Sequence, residues 1–197
     1  MRLTVAVLLG LLPSLGTAQV GSAASSTPVL SAVSSWNLPP ANGPSALANS
    51  LTIVINAGAV QTISSLTDNL INTFPTPVSV TTQWQLSALI SLVDLVGYFA
   101  VPSTALSTGT DHIASSRIEG RMTTGRATAF TPFTQAPVAG LGTPGGSLHL
   151  FRQLVIGPFN GVGQRTDNLD LRLDLRGLPS LAAGTYRGTL TLRAVAY

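Results

Sequence analysis

Two histidines stand in this chain, each with serines close by. His112 follows Asp111 and precedes Ser115 and Ser116, while His149 lies just after Ser147 in GGSLHL. A serine hydrolase needs a nucleophile, a base and an orienting acid that converge in space. The chain has no Gly-x-Ser-x-Gly elbow, the strained turn that presents such a nucleophile. His112 therefore reads as a loop residue and His149 as a strand residue. A second stretch, RTDNLDLRLD, carries Asp167, Asn168, Asp170 and Asp174. Their oxygens are of the type that holds calcium, but a calcium loop sets them on a tight glycine-containing turn. Here Asp170 and Asp174 alternate with arginines, which predicts cross-strand ion pairs, with Asp167 and Asn168 shaping a turn before the strand. A weak calcium site at Asp167, Asn168 and Asp170 is the residual metal reading.

Other stretches carry less. GLGTPGGS, residues 140–147, has the glycines of a phosphate loop without its lysine. IEGR, Ile118 to Arg121, continues an alternating strand and reads as ordinary sequence. Trp36, Trp84, Tyr98 and Phe99 would form a sugar platform if exposed, but Trp84 falls on an inward face. Taken together, these residues predict no catalytic, cofactor-binding or metal-binding site.

The elements that would position them are short strands. LTIVIN places Leu51, Ile53 and Ile55 on one face, and PVSVTTQWQL places Val78, Val80, Thr82, Trp84 and Leu86 on one face. LVDLVGYFA is apolar on both sides, as a central strand would be. Ile118, Gly120 and Met122 alternate with Arg117, Glu119 and Arg121. SLHLFRQLVIG follows a Gly/Pro-rich loop, and Leu169, Leu171, Leu173 and Leu175 alternate with Asp170, Arg172, Asp174 and Arg176. Period-two runs separated by Gly, Pro and Asn clusters predict an all-β sandwich or barrel. SSLTDNLINTF allows one helical turn at most. Antiparallel pairing of the last two runs, with Asp174 opposite Arg187, Leu171 opposite Leu190 and Leu169 opposite Leu192, would match both faces at once.

The first residues, MRLTVAVLLGLLPSLGTAQ, order one charge, an apolar run and small residues as a secretory signal peptide does. The run is shorter than the ~20 residues a membrane-spanning helix needs. Cleavage is predicted after Ala18, with Ala23 as second choice. No charged residue lies between Arg2 and Asp68. Residues 19–48 are rich in Ser, Ala, Pro and Gly and read as a flexible leader. Within it, TPVLSAVSSW alternates weakly, with Val29 and Val33 on one side, and would lie down as a strand against an open edge. The chain has no cysteine, so packing must supply what disulfides give many exported domains. All ten basic residues are arginines, set against seven acids and interspersed with them. A nucleic-acid binder would gather them into a patch.

The ending LPSLAAGTYRGTLTLRAVAY, with Gly184, Tyr186, Leu190, Leu192 and Tyr197, resembles the last strand of secreted bacterial spore-coat-U-type and fimbrial subunit domains. LHLFRQLVIG and RTDNLDLRLDLRGLP, with this ending, also resemble secreted proteins of environmental Gram-negative bacteria. The first resemblance implies a sandwich that assembles by donating a strand to a neighbour's edge, the donor being the leader around Val29 to Val33.

The resulting expectation is a signal peptide (1–18), a leader (19–48) and a single immunoglobulin-like or pilin-like antiparallel β-sandwich (49–197). The expected function is that of an exported, non-enzymatic structural or adhesive protein in the periplasm, on the surface or outside the cell. It would associate with itself or another surface protein by strand addition, without nucleic acid or a transmembrane anchor. A glycan- or ligand-binding module is the second expectation, and a secreted hydrolase the third.

Overall fold

The computed structural model describes residues 26–37 and 49–197. The predicted signal peptide and the rest of the leader, 19–25 and 38–48, lie outside the described residues. In chain order the strands are β1 (Ser26–Asn37), β2 (Ser50–Ala57), β3 (Val60–Thr62), β4 (Ile71–Thr73), β5 (Val78–Gln85), β6 (Ile90–Tyr98) and β7 (Leu106–Ser107). They continue with β8 (His112–Ile113), β9 (Ile118–Met122), β10 (Thr131–Pro132), β11 (Ser147–Ile156), β12 (Val162–Asp174) and β13 (Gly184–Ala196). A single helical turn, α1 (Gly157–Asn160), joins β11 to β12.

The strands form two sheets, so the fold is an all-β sandwich. One sheet runs β11-β6-β13-β1-β3, with β7 beside β13 and β8 beside β7. The other runs β10-β9-β12-β5-β2, with β4 beside β12. All pairings are antiparallel except β1 with β13, which run parallel. The alternation read from sequence sets the faces. Val78, Val80, Trp84, Leu86, Leu169, Leu171 and Leu173 point inward from the second sheet. Val93, Leu95, Tyr186, Leu190 and Leu192 meet them from the first. Phe99 and Phe133 close the core edge to face, their ring centroids 5.2 Å apart. Among the described residues, no helix is long and apolar enough to cross a membrane.

Three readings change. The last two runs do not pair with each other: β12 lies between β9 and β5, whereas β13 lies between β6 and β1. Their leucines meet across the core instead of along a ladder, because alternation fixes which way a side chain points and not which strand stands beside it. Residues 71–73, read as part of a helical turn, are strand β4, paired to Arg172, Leu173 and Asp174. Residues 26–37, read as leader, are strand β1, and its inward side is that of Leu30 and Ala32, not of Val29.

Candidate functional site

Strand β1 fills a slot between β13 and β3. All twelve of its residues register with β13, from Ser26 opposite Gly184 to Asn37 opposite Val195. On its other side only Val29, Leu30 and Ser31 register with β3. Leu30 is almost wholly buried and Ala32 nearly so, and the Ser34 hydroxyl donates to the Ile53 carbonyl of the facing sheet. The sequence disguised this strand. Ser and Ala at alternate positions give almost no hydrophobic signal, yet their small size suits a strand wedged between two others. A strand whose described buried side chains are Leu30 and Ala32 leans heavily on its backbone ladder. Such holding is transferable, since any extended segment can make the same main-chain bonds.

A second constellation sits on the outer face of the first sheet. Asp94, in the middle of the apolar run of β6, is fully buried. Its carboxylate accepts from Arg152 Nε and Nη2 at 2.8 Å each, from the Tyr197 hydroxyl at 2.8 Å and from His149 Nε2 at 3.0 Å. His149 Nε2 also faces the Phe151 carbonyl at 3.0 Å. Both neighbours are acceptors, so this nitrogen carries a proton. His149 and Arg152 would point to opposite faces in a regular strand. A bulge between His149 and Phe151 resets the alternation and brings both onto Asp94. Burial alone would raise the Asp94 carboxyl, but the bonds from Arg152, Tyr197 and His149 outweigh it and leave the group below its usual range. Burial first, and then its bond to Asp94, raise the Tyr197 phenol, which keeps it a donor. The cluster ties β6, β11 and the residue after β13 together.

The structure disperses the residues with chemical potential in the sequence. His112 is exposed, its Nδ1 3.0 Å from Ser107 Oγ. Ser115 donates to the Gly145 carbonyl, and the Ser147 hydroxyl both donates to the Thr143 carbonyl and accepts from the Thr143 amide. Asp111 accepts from the Thr110 hydroxyl. Asp167, Asn168 and Asp170 lie within β12 and not in a turn before it, so alternation sends their side chains to opposite faces. Asp167 turns inward to Arg165 (2.6 Å) and the Thr124 hydroxyl (2.7 Å), and the Arg165 guanidinium stacks on the Phe151 ring. Asp170 turns outward to Arg121 on β9, the predicted cross-strand pair. Asp174 pairs instead with Arg176, two residues along its own chain, which lowers its carboxyl to about 2. No group of three or more His, Cys, Asp or Glu that could hold a metal ion occurs among the described residues. Trp84 is buried and donates to the Asn160 carbonyl at 3.1 Å. Of Trp36, only the backbone within β1 is described.

Comparison with known proteins adds little. No family model and no curated protein matches the chain. Among solved structures, it is similar to the crystal structure of BslA, described as a bacterial hydrophobin, with 15% identity over 78% of this chain and 95% of that one. The TM-score is 0.24, and at that value the likeness assigns neither topology nor function.

Proposed function

We propose that the chain is an exported, non-enzymatic structural or adhesive protein that assembles with its own copies by exchanging β1, as fimbrial-type subunits exchange strands. The observation that supports this is the seating of β1. It is joined to the rest of the domain through residues 38–49, pairs along its whole length with β13 and, among its described side chains, buries Leu30 and Ala32. A terminal strand of this kind can occupy its own slot or a neighbour's at nearly the same free energy, and the choice then depends on concentration and linker length. Export rests on the order of residues 1–18.

Light scattering after size exclusion on residues 19–197 and on residues 49–197 tests the proposal. Long-lived oligomers of the first that disperse in the second, and re-form around an added peptide of residues 26–37, support exchange. Monomers of the longer chain at all concentrations, whatever the peptide does, would mean that β1 only completes its own sheet.

A second reading, a glycan-binding module, draws on one feature. An open depression on the outer face of the second sheet is lined by Ser50, Thr52, Gln83, Gln85 and Gln164. Uncharged hydroxyls and amides of this kind suit sugar hydroxyls, and a glycan array without hits would set the reading aside.

A further inference from the structure

Strand β11 is one end of the first sheet, and an end strand offers unpaired N–H and C=O groups to any strand that arrives. Its first half is covered by other segments. Gln135 N donates to the Ser147 carbonyl and Arg126 N to the Leu150 carbonyl, each at 2.8 Å. The Gln135 side chain also accepts from the His149 amide. Among the described residues, no strand pairs with the outer side of Arg152 to Ile156.

The register fixes which groups face outward there. Leu92, the partner of Leu154 on β6, exchanges both of its main-chain bonds with Tyr197 on the far side. Leu154 and Ile156 therefore turn their own N–H and C=O groups to the open edge. Such edges are commonly guarded by charge or proline. Gln153 to Ile156 carry neither, and the nearest cation, Arg152, is committed to Asp94.

Asn160 stands at this edge instead. From the helical turn after β11 its side chain folds back along the strand, accepting from the Ile156 amide at 2.5 Å and donating to the Leu154 carbonyl at 3.0 Å. A side-chain amide carries the same donor and acceptor as a peptide group, so the two bonds flanking Val155 stand in for those of a passing strand. Gln153 Nε2 donates to the same Leu154 carbonyl at 2.9 Å, which fills both lone pairs of that oxygen. The Asn160 main chain is fixed as well. Its carbonyl receives Trp84 Nε1 at 3.1 Å, and the Gly161 carbonyl receives the Leu86 amide at 2.7 Å.

We infer that Asn160 is a built-in plug, which takes the place of an added strand on β11 and so keeps the β11 edge of a second copy from pairing there. A second copy is the partner excluded because two uncharged Gln-Leu-Val-Ile edges would match each other. They would meet antiparallel about a two-fold axis and form one continuous sheet. Each copy brings one such edge, so the pairing stops at a dimer. The inference concerns the side of the sheet away from β1 and holds whether or not β1 is exchanged.

The test compares residues 19–197 with variants at equal concentration, so that whatever β1 does is common to all. Asn160→Ala removes both side-chain bonds and leaves the main-chain carbonyl that receives Trp84. Asn160→Asp keeps an acceptor for the Ile156 amide, loses the donor to Leu154 and sets a negative charge on the edge. In dilute solution the Ile156 amide should exchange about fivefold faster in Asn160→Ala than in the parent, and at close to the parent rate in Asn160→Asp. On raising the concentration, light scattering should show Asn160→Ala reaching about twice the parent's mass, with Asn160→Asp matching the parent. Leu154 is half exposed, and adding Leu154→Lys to Asn160→Ala places a charge beside the bared edge, which should return the mass to the parent's. A gain in mass that survives this addition comes from unfolding and overturns the inference. An Ile156 amide that exchanges as fast in the parent as in Asn160→Ala overturns it too. So does an Asn160→Ala protein that gains no mass over the parent, or an Asn160→Asp protein that gains as much.

Discussion

Replacing Asp94 with asparagine keeps the shape of the side chain and removes its charge. In the parent, two bonds from the Arg152 guanidinium, one from Tyr197 and one from His149 converge on two oxygens that no water reaches. Asparagine offers one acceptor oxygen, and its amide nitrogen must then face Arg152 Nη2 and the Tyr197 hydroxyl. The hydroxyl can turn and accept; the guanidinium cannot. A hydrogen bond to a charged group is worth about 1.5–3 kcal/mol, and breaking a fully buried pair about 3–5 kcal/mol. The Arg152 side chain is 33% exposed, however, and can recover part of its hydration by swinging outward. The net loss for Asp94→Asn is therefore about 2–3 kcal/mol, which for a chain of this size lowers the melting temperature by roughly 5–10 °C. Urea unfolding at neutral pH measures it. The pH dependence checks its origin. The folded carboxyl is depressed, so its contribution is fully present above the ordinary carboxylate range near pH 4 and is lost as pH falls through the folded value. The gap between parent and variant should thus narrow in acid. A gap below about 0.5 kcal/mol at neutral pH, or a gap that does not change in acid, would refute this account of the cluster.

Other perturbations probe other joints. Leu30→Ala should cost about 2–4 kcal/mol in urea unfolding if β1 is part of the core, and almost nothing if residues 26–37 only trail beside it. Thr82→Val should stabilise by about 1 kcal/mol in the same assay, because the buried Thr82 hydroxyl has no partner. At Gly188 an added Cβ would stand 1.9 Å from the Ala105 carbonyl oxygen. Gly188→Ala should push β7 away from β13, read as faster amide exchange at Ser107 and Arg187 with a loss of about 3 kcal/mol or more.

Much of the sandwich was legible because a half-buried strand writes its two faces into alternate residues. Leu169 to Leu175 and Val78 to Leu86 show this plainly. Neighbourhood is not written in the same way. Asp174 opposite Arg187 satisfied both faces, yet Asp174 stands opposite Ile71 and Arg187 opposite Ser107. Strand β1 escaped because Ser31, Ala32 and Ser34 are too small to mark a buried side. Asp94 carries a sequence signal of its own. A lone acid inside LVDLVGYFA must be paired if it is buried, and Arg152, with His149 as a further hydrogen-bond donor, stands in another strongly apolar run. The bulge that puts them on one face has no sequence mark beyond the break in alternation itself.

The parallel ladder between β1 and β13 also has a temporal consequence. Ser26 meets Gly184 and Asn37 meets Val195, so these strands join nearly the whole chain end to end. Local hairpins can form in microseconds, but a contact of this span must wait for the closure of a very long loop and slows the folding of all that depends on it. Before it closes, β13 has one edge unpaired and β3 has none of its sheet. Until that closure the edge of β13 is open to any extended segment, its own or another's. Under the strand exchange proposed above, the choice between one molecule and a larger body would be set by a race during folding, one that crowding or slow release would tilt towards the neighbour.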